Sequence, residues 1–324
     1  MERVDHARGA VPRVSVVIPV FNGENYLARA IESALAQGEV PIEVLVLDDA
    51  STDRTPDIAR GYGEPVRYVR LPKQRTSIAT TNAGIRLARG TYVSILHHDD
   101  YFLPGKLARH VALMDAHPRI GISYSAQLYV DPHAHSLGRL RSPLRQGDYV
   151  VAGTDELFHL VVQNYINFCN AVVRREAYER VGPYIEPLWV SSEWEMWVRL
   201  AIHADVGYID EPLVCYRLHP QAQTSASTTD TVDYQRQLQT VLLDIYTRLP
   251  LPASLQGRRR FTQANVHINA GILMAIRGQR HAALFSLIRA FHYVRPWELP
   301  GLLQSNQLIA RMLPRIRLAR SSKG

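Results

Sequence analysis

Ser94-Ile95-Leu96-His97-His98-Asp99-Asp100-Tyr101 is the stretch from which the rest of the chain can be read. A strand-like apolar run, Tyr92 to Leu96, ends in two histidines and two adjacent carboxylates, and Leu103-Pro104-Gly105 then breaks the chain ahead of a further helix. Adjacent carboxylates at a strand end repel one another and lose solvation unless a cation or ligand meets them.

Toward the N-terminus the same pattern repeats. Val14 to Pro19 is a β-branched run that reads as a buried strand, followed by the turn Val20-Phe21-Asn22-Gly23. Tyr26 to Gln37 carries Leu27, Ala30, Ile31, Ala34 and Leu35 on one helical face, with Gly38 as the expected C-cap. Ile42 to Leu47 is a second strand, ending in Asp48-Asp49; after the turn Ala50 to Asp53, Thr55-Pro56 opens a helix as N-cap and N1. Val66 to Leu71 reads as a third strand, Ser77 to Ala88 as a helix with Gly90 after it, and Tyr92 to Leu96 as the fourth strand. Near-continuous apolar strands alternating with helices predict a parallel sheet covered on both faces. Such sheets bind ligands outside the carboxyl ends of their strands. Here those ends carry Phe21-Asn22, Asp48-Asp49 and His98-Asp99-Asp100. No Gly-x-Gly-x-x-Gly follows the first strand and no Gly-x-x-x-x-Gly-Lys occurs, which disfavours a dinucleotide fold and a P-loop.

Downstream, a helix runs from Gly105 to about Ala116, and Ile120 to Val130 is extended. Residues 131–150 show no periodicity and read as a flexible or inserted segment. Asp155 to Gln163 is helical, Phe168 to Val173 a strand, and Arg174 to Arg180 a short helix stopped by Gly182-Pro183. Ser191-Ser192 caps a helix that begins Glu193-Trp194-Glu195-Met196-Trp197. Val206 to Ile209 and Pro212 to Leu218 follow, then a Ser/Thr-rich loop from Gln221 to Thr231. From Thr231 the pattern is helical: His267 to Arg277 and His281 to Phe291 pair around Gly278, and Leu302 to Leu318 is amphipathic and basic.

Composition bounds the function. The 324 residues are 46% hydrophobic and 21% charged, an ordinary globular balance. Cys169 and Cys215 make no disulfide framework and read as buried thiols in a reducing compartment. Met1 to Arg13 has no apolar core and is not a secretory signal, and no uncharged apolar run reaches the ~18 residues a spanning helix needs. A cytoplasmic protein, or one peripheral on the inner face of a membrane, is expected. Of the net charge of +7, residues 257–324 contribute +11, from twelve Lys/Arg against Glu298 alone, so residues 1–256 carry −4. The basic character belongs to the C-terminal tail, away from the carboxylate clusters. That placement, with no nucleic-acid motif in the chain, disfavours a nucleic-acid partner.

With the strand ends in view, the first 220 residues resemble glycosyltransferase family 2. The matching stretches are Val14 to Asn22, Val46 to Asp53, Asn82 to Gly90, Leu96 to Asp100, Ala171 to Gly182, Glu193 to Trp197 and Tyr216 to His219, in the family's order. The resemblance implies a GT-A fold, a Rossmann-like mixed sheet with helices on both faces, here with a C-terminal helical extension. It also implies inverting transfer of a sugar from a nucleotide diphosphate donor, with a divalent metal, Mn²⁺ or Mg²⁺. The chain then divides into an N-terminal tail (1–13), a nucleotide-sugar-binding half (14–105), an acceptor-binding half with the catalytic base (106–230) and the basic helical extension (231–324). Two positions depart from the family's pattern. His97 stands where its metal motif usually begins with Asp, and Glu193 stands where its catalytic base is usually Asp. Imidazole coordinates Mn²⁺ and Glu is a carboxylate one methylene longer, so both changes keep the chemistry possible.

The resemblance assigns roles residue by residue. Asp99 is the expected direct metal ligand, with His97 beside it. Asp100 stands between a metal contact, a sugar hydroxyl contact and helix capping, and His98 between ligand, phosphate donor and structural residue. Asp49 corresponds to the position that hydrogen-bonds the nucleotide base, and a carboxylate accepting the N3 proton of uracil or thymine favours a UDP- or dTDP-sugar. Phe21 would lie against the base or pack in the core. Pro19 and Asn22 shape the first loop, and Asp48 can brace the sheet edge. Glu193 is the expected general base, with Glu195 as the alternative if the register slips. Trp194 is expected to line the acceptor pocket, Trp197 to be core. Arg217 and His219 fall near the donor's diphosphate. The acceptor is a saccharide or a lipid-linked molecule, as in cell-surface polysaccharide synthesis. The last helix, with Leu303, Ile309, Met312, Leu313 and Ile316 against Arg311, Arg315, Arg317 and Arg320, suits either an anionic membrane or its own domain. The competing function is a non-catalytic nucleotide-sugar-binding protein of the same fold. The sugar and the acceptor depend on pocket shape in residues 131–165 and 183–192, which carry no readable code.

Overall fold

The first four strands, β1 (Val14–Val20), β2 (Ile42–Asp48), β3 (Val66–Arg70) and β4 (Tyr92–Ile95), pair in parallel in the order β3-β2-β1-β4 in a computed structural model of the protein. The structure describes residues 11–72, 76–189, 191–219 and 230–321. Every residue of β1 and β2 is buried, because both faces of the sheet are covered. Side chains alternate between the faces. Val16, Ile18, Val44 and Val46 pack under α1 (Leu27–Leu35), while Val17, Leu45 and Leu47 pack under the helices of the opposite layer. α2 (Thr55–Arg60) and α3 (Ser77–Leu87) complete this half. α3 comes close to the sheet at Gly84, where a Cβ would stand 2.3 Å from Val17 Cγ1.

The same sheet continues through the second half of the chain. After β5 (Tyr101–Phe102) and α4 (Lys106–Ala116) come β6 (Ile120–Val130), β7 (Ser136–Leu140), β8 (Tyr149–Val151), α5 (Gly153–Leu160), β9 (Ala171–Arg174), α6 (Arg175–Val181), α7 (Ser192–His203) and β10 (Asp205–Arg217). β9 runs antiparallel between β4 and β6, β10 lies parallel to β6, and β5 closes the edge against β10, giving ten strands in one mixed sheet. The fold is the expected GT-A arrangement. The helical extension follows as α8 (Thr231–Thr247), α9 (Ala253–Gln256), α10 (Arg259–Ile276), α11 (Arg280–Phe291), α12 (Leu299–Asn306) and α13 (Leu308–Ser321). No helix among the described residues is long and apolar enough to cross a membrane.

Several local expectations are corrected. Gly38 does not cap α1; the helix ends at Leu35, and the Gln37 amide donates to the Ser33 carbonyl (3.2 Å) and to Leu103 O (3.0 Å). Thr55 is the first residue of α2 rather than its cap, and its N–H bonds Asp53 Oδ1 at 2.9 Å. Residues 131–150 hold β7 and β8, which are short because each only edges a longer strand. Val206 to Arg217 lies in one strand, β10, with bulges, since proline at 212 interrupts the ladder without ending it. Phe168 to Asn170 form a 3-10 turn before β9. The last amphipathic stretch is two helices, broken at Gln307 with φ of 50°. Part of α13 packs on its own domain: Ala310 and Leu318 lie on the cluster of Tyr129, Leu137, Leu140 and Leu218, and Pro314 lies against Gly138, while Ile309 and Leu313 are exposed. The Ser/Thr-rich loop at 221–229 and the side chains of Ile316 and Arg320 lie outside the described residues.

Candidate active site

The carboxyl ends of β1, β2 and β4 meet at one edge, and their loops are cross-laced. Asn22 adopts φ of 50°, a conformation asparagine tolerates better than most residues. Its N–H bonds Ser51 Oγ at 2.9 Å, and its Oδ1 accepts the Thr52 N–H at 2.9 Å. Gly23 N donates to Thr55 Oγ1 at 2.8 Å. Pro19 sits within β1 opposite Leu47. Phe21 is 40% exposed, which removes the core-packing reading and leaves its ring at the mouth of the site. Asp48 is fully buried and accepts from Ser51 N (2.8 Å), Arg70 Nη1 (2.9 Å) and the Tyr68 hydroxyl, so it braces the edge. Asp49 is buried beside it, its N–H on Val20 O at 2.8 Å.

The turn after β4 brings His97, Asp99 and Asp100 together, with one potential ligand atom from each inside 4.8 Å of the others. The two carboxyls respond in opposite directions. Burial pushes Asp99 up, but the hydrogen bond from His219 and the nearby imidazoles of His98 and His97 outweigh it and hold the group below the usual range. Asp100 is driven well up by burial and by the charge of Asp99. Asp100 Oδ2 is buried and without a hydrogen-bond partner. An unpartnered carboxylate oxygen beside a second carboxylate and an imidazole fits a divalent cation. His97 also rests on the Phe168 ring (5.1 Å between centroids), and burial lowers its pKa. His98 lies over Gly23, where any Cβ would come within 2.7 Å of its ring.

β10 ends against this turn. Arg217 is buried and its guanidinium is committed to main-chain carbonyls, Asp99 O at 2.9 Å, Pro132 O at 2.8 Å and Asp131 O at 3.2 Å, while its N–H bonds Asp100 Oδ1 at 2.8 Å. The ring of Tyr26 lies 4.7 Å from the guanidinium carbon. In this geometry Arg217 holds the turn rather than reaching outward. His219 Nε2 meets Asp99 Oδ2 at 3.0 Å.

Glu193 stands in the first turn of α7. The expected serine cap is not made: Ser191 is left-handed (φ 57°) with no side-chain capping bond, and the Ser192 hydroxyl is buried without a partner. Glu193 Oε1 accepts from Asn164 Nδ2 at 3.0 Å. Burial raises its pKa to about 7, against the smaller opposing pull of its own N–H and of Asn164. A carboxyl poised there is suited to general-base work near neutral pH. Asn164 falls in a segment with no sequence signal, and nothing in its neighbours marks it.

Trp194 does not line an acceptor pocket. It is 1% exposed, and its indole N–H donates to Leu160 O at 2.6 Å. One step along a helix turns a side chain by about 100°, so Glu193 and Trp194 face different sides. Trp197 is core as expected, bonded to Ile166 O at 2.8 Å. Glu195 is buried in an ion pair with Arg199 at 2.8 Å, which removes it as an alternative base. Trp194→Ala is expected to lower unfolding free energy in urea by about 3–5 kcal/mol; an acceptor-lining role would instead raise KM and leave stability unchanged. A cavity of about 530 Å³ at the other end of α7, beside Arg119 and Arg174, is remote from these groups.

A mixed sheet whose carboxyl edge gathers an imidazole and two carboxylates, with a carboxyl tuned to neutrality in the first turn of α7, is the architecture of a GT-A glycosyltransferase. Residues 15–182, more than half of the chain, match the family described as glycosyl transferase family 2, and the protein belongs to that family. It is 28% identical over 226 residues to an uncharacterized glycosyltransferase of Rickettsia prowazekii (strain Madrid E), covering 69% of this chain and 70% of that one. A shorter stretch of 107 residues is 41% identical to the succinoglycan biosynthesis protein ExoO of Rhizobium meliloti (strain 1021), covering 33% and 31% of the two chains. Among solved structures, S. aureus TarS 1-349 in complex with UDP-GlcNAc superposes with a TM-score of 0.60 at 15% identity, covering 86% of this chain and 89% of that one. The mannosyltransferase PcManGT from Pyrobaculum calidifontis, in complex with GDP-Man and Mn²⁺, gives 0.56 at 19%, covering 96% and 84%. At those identities the likeness is one of fold.

Proposed function

We propose that this glycosyltransferase moves a sugar from a UDP- or dTDP-sugar to a hydroxyl of a saccharide or lipid-linked acceptor, with inversion, in the assembly of a cell-surface polysaccharide. The observation that carries the reading is Glu193: a carboxyl raised to about 7, held by Asn164, in a fold whose sheet edge bears the His97-Asp99-Asp100 cluster. The first half of the chain, 14–105, binds the donor, and 106–230 presents the acceptor and the base. Asp49 takes the N3 proton of the base and exposed Phe21 stacks on the ring, while Pro19 and Asn22 set the loop between them. Asp99 and His97, with Asp100 beside them, would hold Mn²⁺ or Mg²⁺, which when bound neutralises the charge developing on the departing diphosphate. His219 orients the Asp99 carboxylate through their 3.0 Å contact, and Arg217 fixes the backbone of the same turn. Glu193 takes the proton of the attacking hydroxyl, which approaches opposite the diphosphate and so inverts the anomeric centre. The partial match to ExoO supports a polysaccharide product. A thermal-shift screen of nucleoside diphosphates and nucleotide-sugars, with and without Mn²⁺, tests the reading. Stabilisation by UDP or dTDP that requires Mn²⁺ is expected, and stabilisation by none of them rejects it.

The protein works on the inner face of a membrane in this reading, held by the helical extension. The extension exposes Leu284, Phe285, Ile288 and Phe291 on α11, with exposed Trp297 beyond, besides Leu303, Ile309 and Leu313 of the predicted stretch. Arg289 covers the Phe285 ring and Arg295 the Trp297 ring, and the +11 tail suits anionic headgroups. Sedimentation with phosphatidylglycerol vesicles, little with phosphatidylcholine, and its loss in a Phe285→Ser, Phe291→Ser variant are expected. An unaltered variant would remove this face.

A further inference from the structure

α13 carries a second feature that its packing does not explain. Arg311 and Arg315 are one turn apart and half-buried. Arg311 Nη1 donates only to neutral acceptors, Asn269 Oδ1 at 3.3 Å, Asn306 Oδ1 at 3.4 Å and Asn306 O at 3.5 Å. Arg315 Nη1 donates to Arg311 O at 2.6 Å, and its guanidinium carbon lies 5.9 Å from the Tyr129 ring centre. Among the described residues no carboxylate pairs with either. Partly buried Arg199 has one in Glu195 and Arg139 has one in Asp210, and the guanidinium of buried Arg217 is instead met by three main-chain carbonyls. Two like charges drawn partly out of water, without a counter-charge, cost free energy unless an anion completes them.

The pair is wired to the proposed base. Asn269, which receives Arg311, donates to Gln163 Oε1 at 2.9 Å; Gln163 Nε2 donates to Asn164 O at 2.5 Å; and Asn164 holds Glu193 at 3.0 Å. The Tyr234 hydroxyl of α8 is within electrostatic reach of Arg311, Arg315 and Glu193. The helical extension therefore reaches the acceptor side of the site.

We infer that Arg311 and Arg315 form a subsite for an oxyanion, phosphate or carboxylate, carried by the acceptor close to the hydroxyl that Glu193 deprotonates. The guanidinium fork matches either group with paired donors. The inference rests on Glu193 as base and narrows the acceptor class to anionic molecules.

The test is calorimetric titration of the full chain with sn-glycerol 1-phosphate, glucuronate and, as a neutral control, glycerol, each with and without saturating UDP and Mn²⁺. One anion should bind and glycerol should not, and UDP should not displace it. A tighter phosphate marks a phosphate-bearing acceptor; a tighter glucuronate marks a uronic acid. Arg311→Gln with Arg315→Gln should weaken the anion by about tenfold or more and leave UDP binding and the melting temperature unchanged. If the double variant unfolds, Arg315→Gln alone reads the same loss, since that side chain makes a single hydrogen bond. Arg315→Lys should restore part of it. Binding of neither anion, or equal binding by wild type and the glutamine variants, overturns the subsite. Failure of UDP to bind would count against the donor reading only, because the anion titration without UDP still reports on the two arginines.

Discussion

Glu193→Gln is expected to lower sugar transfer by roughly 10²–10⁴-fold while leaving the affinity for nucleoside diphosphate unchanged. Glutamine keeps the shape and keeps an oxygen for the Asn164 amide to meet, so the 3.0 Å contact survives and only proton acceptance is lost. The pH dependence carries the same signature. The base works deprotonated, and the Glu193 carboxyl is raised by burial to about 7, so wild-type kcat/KM should climb as pH rises through about 7 and level off above it. Below that range the proton is already on Glu193 and transfer fails. The glutamine variant should lose this limb. Asn164→Ala removes a hydrogen bond that lowers the Glu193 pKa, so its limb should move to higher pH with donor affinity intact. Unchanged transfer by Glu193→Gln would remove Glu193 as base.

Asp99→Asn is expected to weaken Mn²⁺-dependent nucleotide binding by about 100-fold or more, since altering even the partners of metal ligands costs about 10–100-fold. The amide retains the size of the carboxylate and can still meet His219, so the turn should fold as before. Asp100→Asn should be milder. An amide still accepts the Arg217 N–H through its oxygen, so the turn is kept while one oxygen beside Asp99 and His97 is lost. Equal losses from the two substitutions would mean that the turn was disrupted rather than a ligand removed. Equilibrium titration of a fluorescent nucleoside diphosphate against both variants, with and without Mn²⁺, separates these outcomes.

The first half of the fold was legible because its information is local. β1, β2 and β4 are nearly unbroken apolar runs, and the loops that follow them carry their polar residues directly at the sheet edge. The cluster of His97, Asp99 and Asp100 is contiguous, so placing one strand places all three. What escaped depended on distant partners. β7 and β8 are strands because β6 and β10 are there to pair with them, and no alternation in residues 131–150 marks that. Arg217 looked like a donor ligand by position, but the course of bulged β10 turns its guanidinium onto the carbonyls of Asp99, Asp131 and Pro132. Trp194 looked like a sugar platform by type, and the helix rotates it into the core. Asn164 meets Glu193 from the segment after α5, and Arg311 of the extension is linked to it through Asn269 and Gln163, separations no local pattern records. Periodicity could not separate the two readings of the last helix, a lipid face or an internal one: Tyr129 and Leu137 supply an internal partner for Ala310 and Leu318, while Ile309 and Leu313 stay exposed.

The central claim is that the edge built by His97 and Asp99 serves turnover of a nucleotide-sugar. The most direct measurement is release of nucleoside diphosphate from a panel of UDP-, dTDP- and GDP-sugars by the full chain, with Mn²⁺, with EDTA, and with Asp99→Asn. Release from a uridine or thymidine donor that stops with EDTA and with Asp99→Asn is the predicted result. Release that persists undiminished in EDTA and in Asp99→Asn, or no release from any donor by folded wild-type protein in Mn²⁺, would contradict it.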